Sequence, residues 1–266
     1  MLGSVLASEL IGFSDLSGPL LVFLFVFSFV GGVVTSSMGP GGILFIVAMY
    51  LLSPLTSAQI AGTSAGIFFT GSAVGTLSYA QSDDIEYALA IVLSVASVVG
   101  VRGGVWLNRH VSEDLFGLVL AGIVILVGAT ILYREYYGLA PVHSLDPDSL
   151  GGMVIVAVLG LATGCIGGLT GIGGAALSVP ALVLLGIPFV PAVAAGIVQG
   201  LFVTATTAVS YTIAGETVWP LVVTFAVPFA VGIVVGWQVA HSVDSRVLKV
   251  TLGCLLILLA GGIVVI

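Results

Sequence analysis

Long apolar stretches are the feature that most constrains the fold of this chain. A stretch of about 20 predominantly apolar residues can cross a bilayer as a helix, whereas one of about 12 cannot do so alone. Two short stretches, 42–53 and 174–187, directly follow glycine clusters. The long stretches are 19–37, 56–79, 85–107, 114–133, 151–167, 190–213, 218–240 and 246–266. The pattern predicts an all-α polytopic protein of the cell membrane, with about eight full spans and two short half-helices.

The scarcity of charge supports the same class. Only 6% of the residues are charged, against roughly 25% in a soluble domain, so the chain could not cover a surface that faces water. The first 18 residues contain no basic residue and carry Glu9 and Asp15. Because a secretory signal peptide begins with positive charge, we expect the first apolar stretch to be retained as a span.

The two halves of the chain are related by an offset of 132 residues. The aligned pairs include Gly39 and Gly171, Gly41 and Gly173, Gly42 and Gly174, Ser78 and Ser210, and Tyr79 and Tyr211. In between, the offset slips by two, so that Ala61-Gly62 matches Ala195-Gly196. The resulting division is an N-terminal segment (1–18), a first membrane repeat (19–133), a connecting loop (134–150) and a second membrane repeat (151–266).

Duplicated halves with interrupted hydrophobic segments are typical of secondary transporters. If all five segments of each half cross, the halves are inverted; if the broken pair counts as one helix, they are parallel. Arg109 and Arg246 occupy corresponding loops, and equal charge on equal loops favours parallel halves. Transporter precedent favours inversion, which we adopt as the expectation.

Each half contains a glycine break followed by a short apolar stretch. The first break is in "TSSMGPGGILFIVAMYLL" (35–52) and the second in "GLTGIGGAALSVPALVLL" (168–185). Unwound backbone at membrane depth is tolerated only where it is buried in protein or faces a polar cavity. The helix that restarts after a break presents N–H groups without intrahelical partners, which form a positive end suited to an anion. We therefore expect the two breaks to meet near the midplane of the membrane and hold an anion.

The alternative for any membrane glycine is close helix packing. We assign that role to Gly32, Gly62, Gly100, Gly104 and Gly236. The predicted cradle for the substrate is Gly39, Gly41, Gly42, Thr170, Gly171, Gly173 and Gly174, followed by Ser36, Ser37, Thr63, Ser64 and Gln199. Gln199 lies inside an apolar span, where its amide is expected to bond either another helix or the substrate.

Two tyrosines and one arginine are the other polar residues of interest in the predicted spans. Tyr79 and Tyr211 lie at span ends, where an interfacial aromatic belt explains them. Arg102 is the basic residue inside a span, and it either snorkels to the interface or lines an anion path. No span contains an evident buried Asp or Glu, which argues against a carboxylate proton relay.

The sequence resembles the TauE/SafE family of sulfite exporters, also called four-toluene-sulfonate uptake permeases. The resemblance is carried by "GIGGAALSVPAL", its weaker copy in the first half and "AGTSAG" (61–66), and it extends over about 20–266. It implies ion-coupled transport of small anions such as sulfite, sulfonates, sulfoacetate and thiosulfate. The first break departs from the pattern at Ser36-Ser37-Met38, and Thr63-Ser64 face Ile197-Val198, so we expect the two halves of the site to be unequal.

These observations predict a secondary transporter for a small anion, with an anion channel as the alternative. A membrane enzyme is disfavoured because the spans contain no paired carboxylates, nucleophile triad or metal cluster. The expected partners are the anion and the lipid bilayer. A coupling proton or sodium ion and a homo-oligomer are left open, and we expect no catalytic residue, cofactor, metal or nucleic acid.

Overall fold

The chain is α-helical throughout the part that the computed structural model describes, which comprises residues 18–137, 149–242 and the single positions 250, 254 and 257. The helices are α1 (Gly18–Met38), α2 (Gly42–Leu52), α3 (Ser57–Gln81), α4 (Tyr87–Asn108), α5 (Glu113–Tyr137), α6 (Leu150–Thr170), α7 (Ala175–Leu184), α8 (Phe189–Ile213) and α9 (Trp219–Ser242). Seven are long and apolar enough to cross a membrane. The polytopic helical fold is therefore confirmed, with α2 and α7 as the short half-helices. The expected span 246–266 lies almost wholly outside the described residues.

Polar residues mark where several helices begin. The Thr56 hydroxyl accepts from the N–H of Gln59, while the side chain of Gln59 accepts from the N–H of Thr56. Ser112 and Ser149 accept in the same way from the first turns of α5 and α6. These bonds satisfy N–H groups that have no intrahelical acceptor.

The two repeats are inverted relative to each other. Helix α3 and its counterpart α8 cross the core side by side, and a Cβ added to Gly62 would lie 2.7 Å from Tyr211. Further along, a Cβ on Gly75 would lie 2.8 Å from Ile197. As the residue number rises on α3 it falls on α8, so the counterparts run antiparallel. The expectation of inverted halves is confirmed.

The remaining long helices pair across the repeats through glycine. Helices α1 and α9 run parallel, with the Ser28 hydroxyl donating to the Phe225 carbonyl at 2.8 Å and Gly236 lying further along against Val33. Helices α4 and α6 form the equivalent parallel pair, with Gly100 against Leu161 and Gly104 against Cys165. A Cβ on Gly32, Gly100, Gly104 or Gly236 would collide with a backbone carbonyl of the neighbouring helix, and one on Gly62 would crowd Tyr211. The packing role predicted for these five glycines is confirmed.

The helix ends define two faces of the molecule. The Asp84 face carries the loop 82–86 and the end of α9, joined by His241 Nε2 and Asp84 Oδ2 at 3.0 Å. The Arg109 face carries the loops 109–112 and 214–218 and the start of α3, where Glu113 accepts from the N–H of Ser57. Corresponding loops of the two repeats therefore lie on opposite faces. The inference of parallel halves from equal loop charge is wrong because too few charges were available to set that pattern.

Candidate functional site

Both predicted breaks are present and end their helices in the same way. Gly39 has φ 102° and Gly171 has φ 78°, in the left-handed region that glycine adopts without steric cost. The N–H of Gly39 donates to the Thr35 carbonyl at 2.9 Å, and that of Gly171 to the Gly167 carbonyl at 2.8 Å. The chain then restarts as α2 after 39–41, the first break, and as α7 after 171–174, the second break.

Each break packs against the opposite repeat. A Cβ on Gly39 would lie 2.9 Å from the Val179 side chain of α7. One on Gly171 would lie 2.5 Å from the Ala61 carbonyl oxygen of α3. A Cβ on Gly42 would lie 3.4 Å from the Ile172 carbonyl oxygen, so the breaks also approach each other. The polar backbone that unwinding exposes is thus enclosed in protein, as membrane depth requires.

A narrow cavity of about 10 Å³ lies where the two breaks meet. Its lining residues are Thr35, Gly39, Gly42, Phe68, Ser72, Ile172, Gly173, Gly174, Ala175, Ile197, Gly200, Thr204 and Phe229. They come from both breaks, from the ends of α1, α2 and α7 that flank the breaks, and from α3, α8 and α9. This volume admits about one water molecule, so the described conformation is closed around the site.

Backbone amides are the main donors that the second break offers. The N–H groups of Leu177 and Ser178 donate to the Gly174 carbonyl at 3.3 and 3.1 Å. The amides of 173–176 precede these first bonds of α7 and have no acceptor within that helix. Three of those four residues line the cavity. The start of α7 therefore presents a positive helix end at the cavity wall.

The structure brings four of the predicted cradle residues into the cavity lining, namely Gly39, Gly42, Gly173 and Gly174. The others lie beside it. The hydroxyls of Ser37, Ser64 and Thr170 donate to carbonyls of their own helices, and that of Thr63 accepts from the Val218 N–H. Gly41 packs back against α1, and Gly171 packs on α3. The buried Ser36 hydroxyl has no partner within the described part of the chain. Their role in binding stays a prediction.

Gln199 links helices and also reaches the second break. Its Nε2 donates to the hydroxyls of Ser97 and Thr163 at 2.6 and 2.7 Å. Both hydroxyls have backbone carbonyl acceptors on neighbouring turns, so their lone pairs face Gln199 and fix the orientation of its amide. Oε1 has no partner among the described residues, and the amide lies directly against Gly174.

Sequence reasoning missed part of the cavity wall. Ser72 projects toward Gly200, 3.0 Å from where a Cβ would lie. The rings of Phe68 and Phe229 pack at a tilt of 35°, with centroids 4.7 Å apart. The available signal was the spacing of Ser64, Phe68 and Ser72 at intervals of four, which places them on one face of α3.

Burial overturns one expectation about polar span residues. Tyr79 and Tyr211 are fully buried, so the interfacial-belt interpretation is wrong. Their hydroxyls donate instead to backbone carbonyls beside the two breaks. Arg102 lies on an exposed part of α4 and does not line the cavity.

Inverted repeats, broken helices and a shared buried cavity define a membrane transporter fold. The chain belongs to the sulfite exporter TauE/SafE family, whose model matches residues 7–131 and 147–265. This is a family of multi-pass cell-membrane transporters rather than of enzymes.

Named relatives are consistent with this family. The chain is 30% identical over 159 residues to "Probable membrane transporter protein ORF9" of Sinorhizobium sp. The aligned region covers 59% of this chain and 60% of that protein. It is 28% identical over 223 residues to "Probable membrane transporter protein YunE" of Bacillus subtilis. That aligned region covers 74% of this chain and 80% of the relative. The matched part of the chain thus spans about three fifths of the first of these relatives. No solved structure matches the chain.

Proposed function

We propose that this protein is a secondary transporter that carries a small sulfur-containing oxyanion or organosulfonate by alternating access. The observation that supports this most strongly is the meeting of two equivalent breaks, one from each inverted repeat, at a single buried cavity. The repeats 19–133 and 151–266 are the two halves that rock about this point, as in other transporters built from inverted repeats.

The chemistry of the cavity wall suits an anion. Among the described residues, the lining contains no charged side chain, and its polar groups are the hydroxyls of Thr35, Ser72 and Thr204 and the backbone of the breaks. The helix-start amides of the second break supply N–H donors and the positive end of a helix dipole. Oxygen atoms of a sulfite or sulfonate group would accept from these donors, and the predicted cradle residues beside the lining would complete the site.

The size of the cavity favours a carrier over an open channel. Sulfite has four heavy atoms, whereas the cavity holds about one water. The breaks must therefore move apart to admit the anion and close again to release it on the other side. A channel would instead have to open this point to both faces at once.

Flux and binding measurements on the purified protein test this proposal. In proteoliposomes we expect sulfite, thiosulfate or sulfoacetate to accumulate against its own gradient when a proton or sodium gradient is imposed. The same anion should raise the Tm by mass action, while sulfate and simple carboxylates serve as comparison anions. Flux that only follows the gradient of the anion itself would replace the carrier by a channel, and no shift with any sulfur anion would refute the substrate class.

A further inference from the structure

Two buried tyrosines occupy equivalent positions in the inverted repeats. The Tyr79 hydroxyl donates to the Ser36 carbonyl at 2.5 Å, and the Tyr211 hydroxyl donates to the Gly168 carbonyl at 3.0 Å. Tyr79 and Tyr211 differ by 132 in number, and so do the two acceptors. Each acceptor lies three residues before the left-handed glycine that opens its break.

Each tyrosine replaces a helix hydrogen bond that the break removes. In a continuous helix the Ser36 carbonyl would accept from residue 40, but Pro40 has no N–H. The Gly168 carbonyl would accept from Ile172, whose N–H points to the Thr170 hydroxyl at 3.4 Å instead. A buried carbonyl without a donor is costly, so the phenol hydroxyls stabilise the broken conformation of both helices.

The two tyrosines lie toward opposite faces of the membrane. Tyr79 comes two residues before the end of α3 on the Asp84 face, and its ring centroid is 6.0 Å from that of His241, which bonds Asp84. Tyr211 comes two residues before the end of α8 on the Arg109 face. There an open cavity of about 460 Å³, bordered also by Arg109 and Glu216, lies beside the buried Tyr211.

We infer that Tyr79 and Tyr211 are positioning residues that each hold the central cavity closed toward one face. Both hydroxyl bonds are formed in this closed conformation. Loss of the Tyr79 bond opens the first break toward the Asp84 face, and loss of the Tyr211 bond opens the second break toward the Arg109 face. This inference rests on the proposed alternating access.

Sided labelling of a cavity cysteine tests the inference. Ser72→Cys places a thiol in the cavity lining, in a chain whose two native cysteines are replaced by Cys165→Ala and Cys254→Ala. A membrane-impermeant maleimide is applied to right-side-out cells and to inside-out vesicles. We expect Tyr79→Phe to raise the labelling rate at least several-fold from one side, and Tyr211→Phe to raise it from the other side.

A merely structural role would not produce this sidedness. Tyr87→Phe is the matched control, because Tyr87 is an exposed tyrosine at the start of α4, and it should leave both rates unchanged. Labelling that rises from the same side in both variants, rises from both sides in each, or does not change would overturn the inference. The assay needs no substrate, so a failed anion screen with sided labelling would reject the substrate class and leave the tyrosine assignment standing.

Discussion

The two breaks share a backbone geometry but differ in what faces them. At the first break, a Cβ on Gly42 would lie 3.1 Å from the ring of Phe68, which packs on Phe229. At the second, Gly174 lies against the amide of Gln199. The inverted repeats therefore contain two equivalent backbone turns. The neighbouring side chains form an aromatic wall at the first break and a polar wall at the second.

The repeat offsets show how the difference arises. Gln199, Ser97 and Thr163 form the hydrogen-bonded group behind the second break. Their counterparts in the other repeat are Ala65, Phe229 and Gly31. Two small residues and a ring thus replace an amide and two hydroxyls. The comparison predicts that the oxyanion group of the cargo binds at the second break and that its apolar part faces the aromatic wall.

The largest expected difference is between alanine substitutions at the two helix starts. Gly174→Ala drives a methyl group into Gln199 and breaks two buried hydrogen bonds, so we expect a loss of about 2–3 kcal/mol in the free energy of unfolding. Gly42→Ala meets the ring edge of Phe68 at 3.1 Å and the Ile172 carbonyl oxygen at an ordinary contact distance of 3.4 Å, so it should cost about 1 kcal/mol. Thermal unfolding of both variants checks the order, and equal losses would mean that the breaks are packed alike.

Gln199→Leu tests the polar wall directly. The hydroxyls of Ser97 and Thr163 keep their backbone acceptors, so the loss of stability should stay near 1 kcal/mol. Transport of the anion should fall about tenfold, equivalent to about 1.4 kcal/mol, because the wall behind the second break loses its amide. Gln238→Leu, on an exposed part of α9, is the control. Unchanged transport in Gln199→Leu would show that this amide serves packing alone.

Phe229→Leu tests the aromatic wall. We expect it to cost about 1 kcal/mol of stability and to raise transport of larger sulfonates relative to sulfite, because it widens the cavity on the side of the first break. Phe225→Leu, one turn earlier and equally buried, should cost a similar amount without changing the substrate preference, since Phe225 does not line the cavity. A competition assay between the two anions distinguishes these outcomes, and a shared change of preference would contradict the assignment.

The smallest expected effect is on the approach to the second break. Arg109→Gln removes the cation from the open cavity beside Tyr211 and should slow transport a few-fold at low salt, with the difference vanishing at high salt. Arg102→Gln changes an exposed cation away from that cavity and should have no effect. Equal rates for both variants at low salt would remove Arg109 from the anion path.

Much of this architecture could be predicted from the sequence because it depends on local signals. The length of each apolar stretch predicted the spans, and glycine clusters at a constant offset predicted the positions of both breaks. Orientation could not be inferred from loop charge, because only five Lys and Arg residues occur in the whole chain.

The contacts between helices were harder to predict. Tyr79 and Tyr211 looked interfacial by position, since nothing local shows that a phenol at a span end turns inward to a carbonyl of another helix. Ser72 shares a face of α3 with Ser64 and Phe68, but the sequence does not show what that face meets. Its place in the cavity depends on how α3 crosses α8.

The central claim is that the second break holds the anion, and one matched pair of variants tests it most directly. Gly173 and Gly215 both have φ 78°, so alanine at either position carries the same left-handed strain, about 1–2 kcal/mol. Among the described residues, a Cβ at Gly173 would contact only Thr204, at 3.3 Å in the cavity wall, whereas one at Gly215 meets nothing within 4 Å. We predict that Gly173→Ala abolishes the rise in Tm caused by sulfite or a related sulfur anion and that Gly215→Ala retains it. An undiminished rise in Gly173→Ala, or no rise with any of these anions in the unsubstituted protein, would contradict the account.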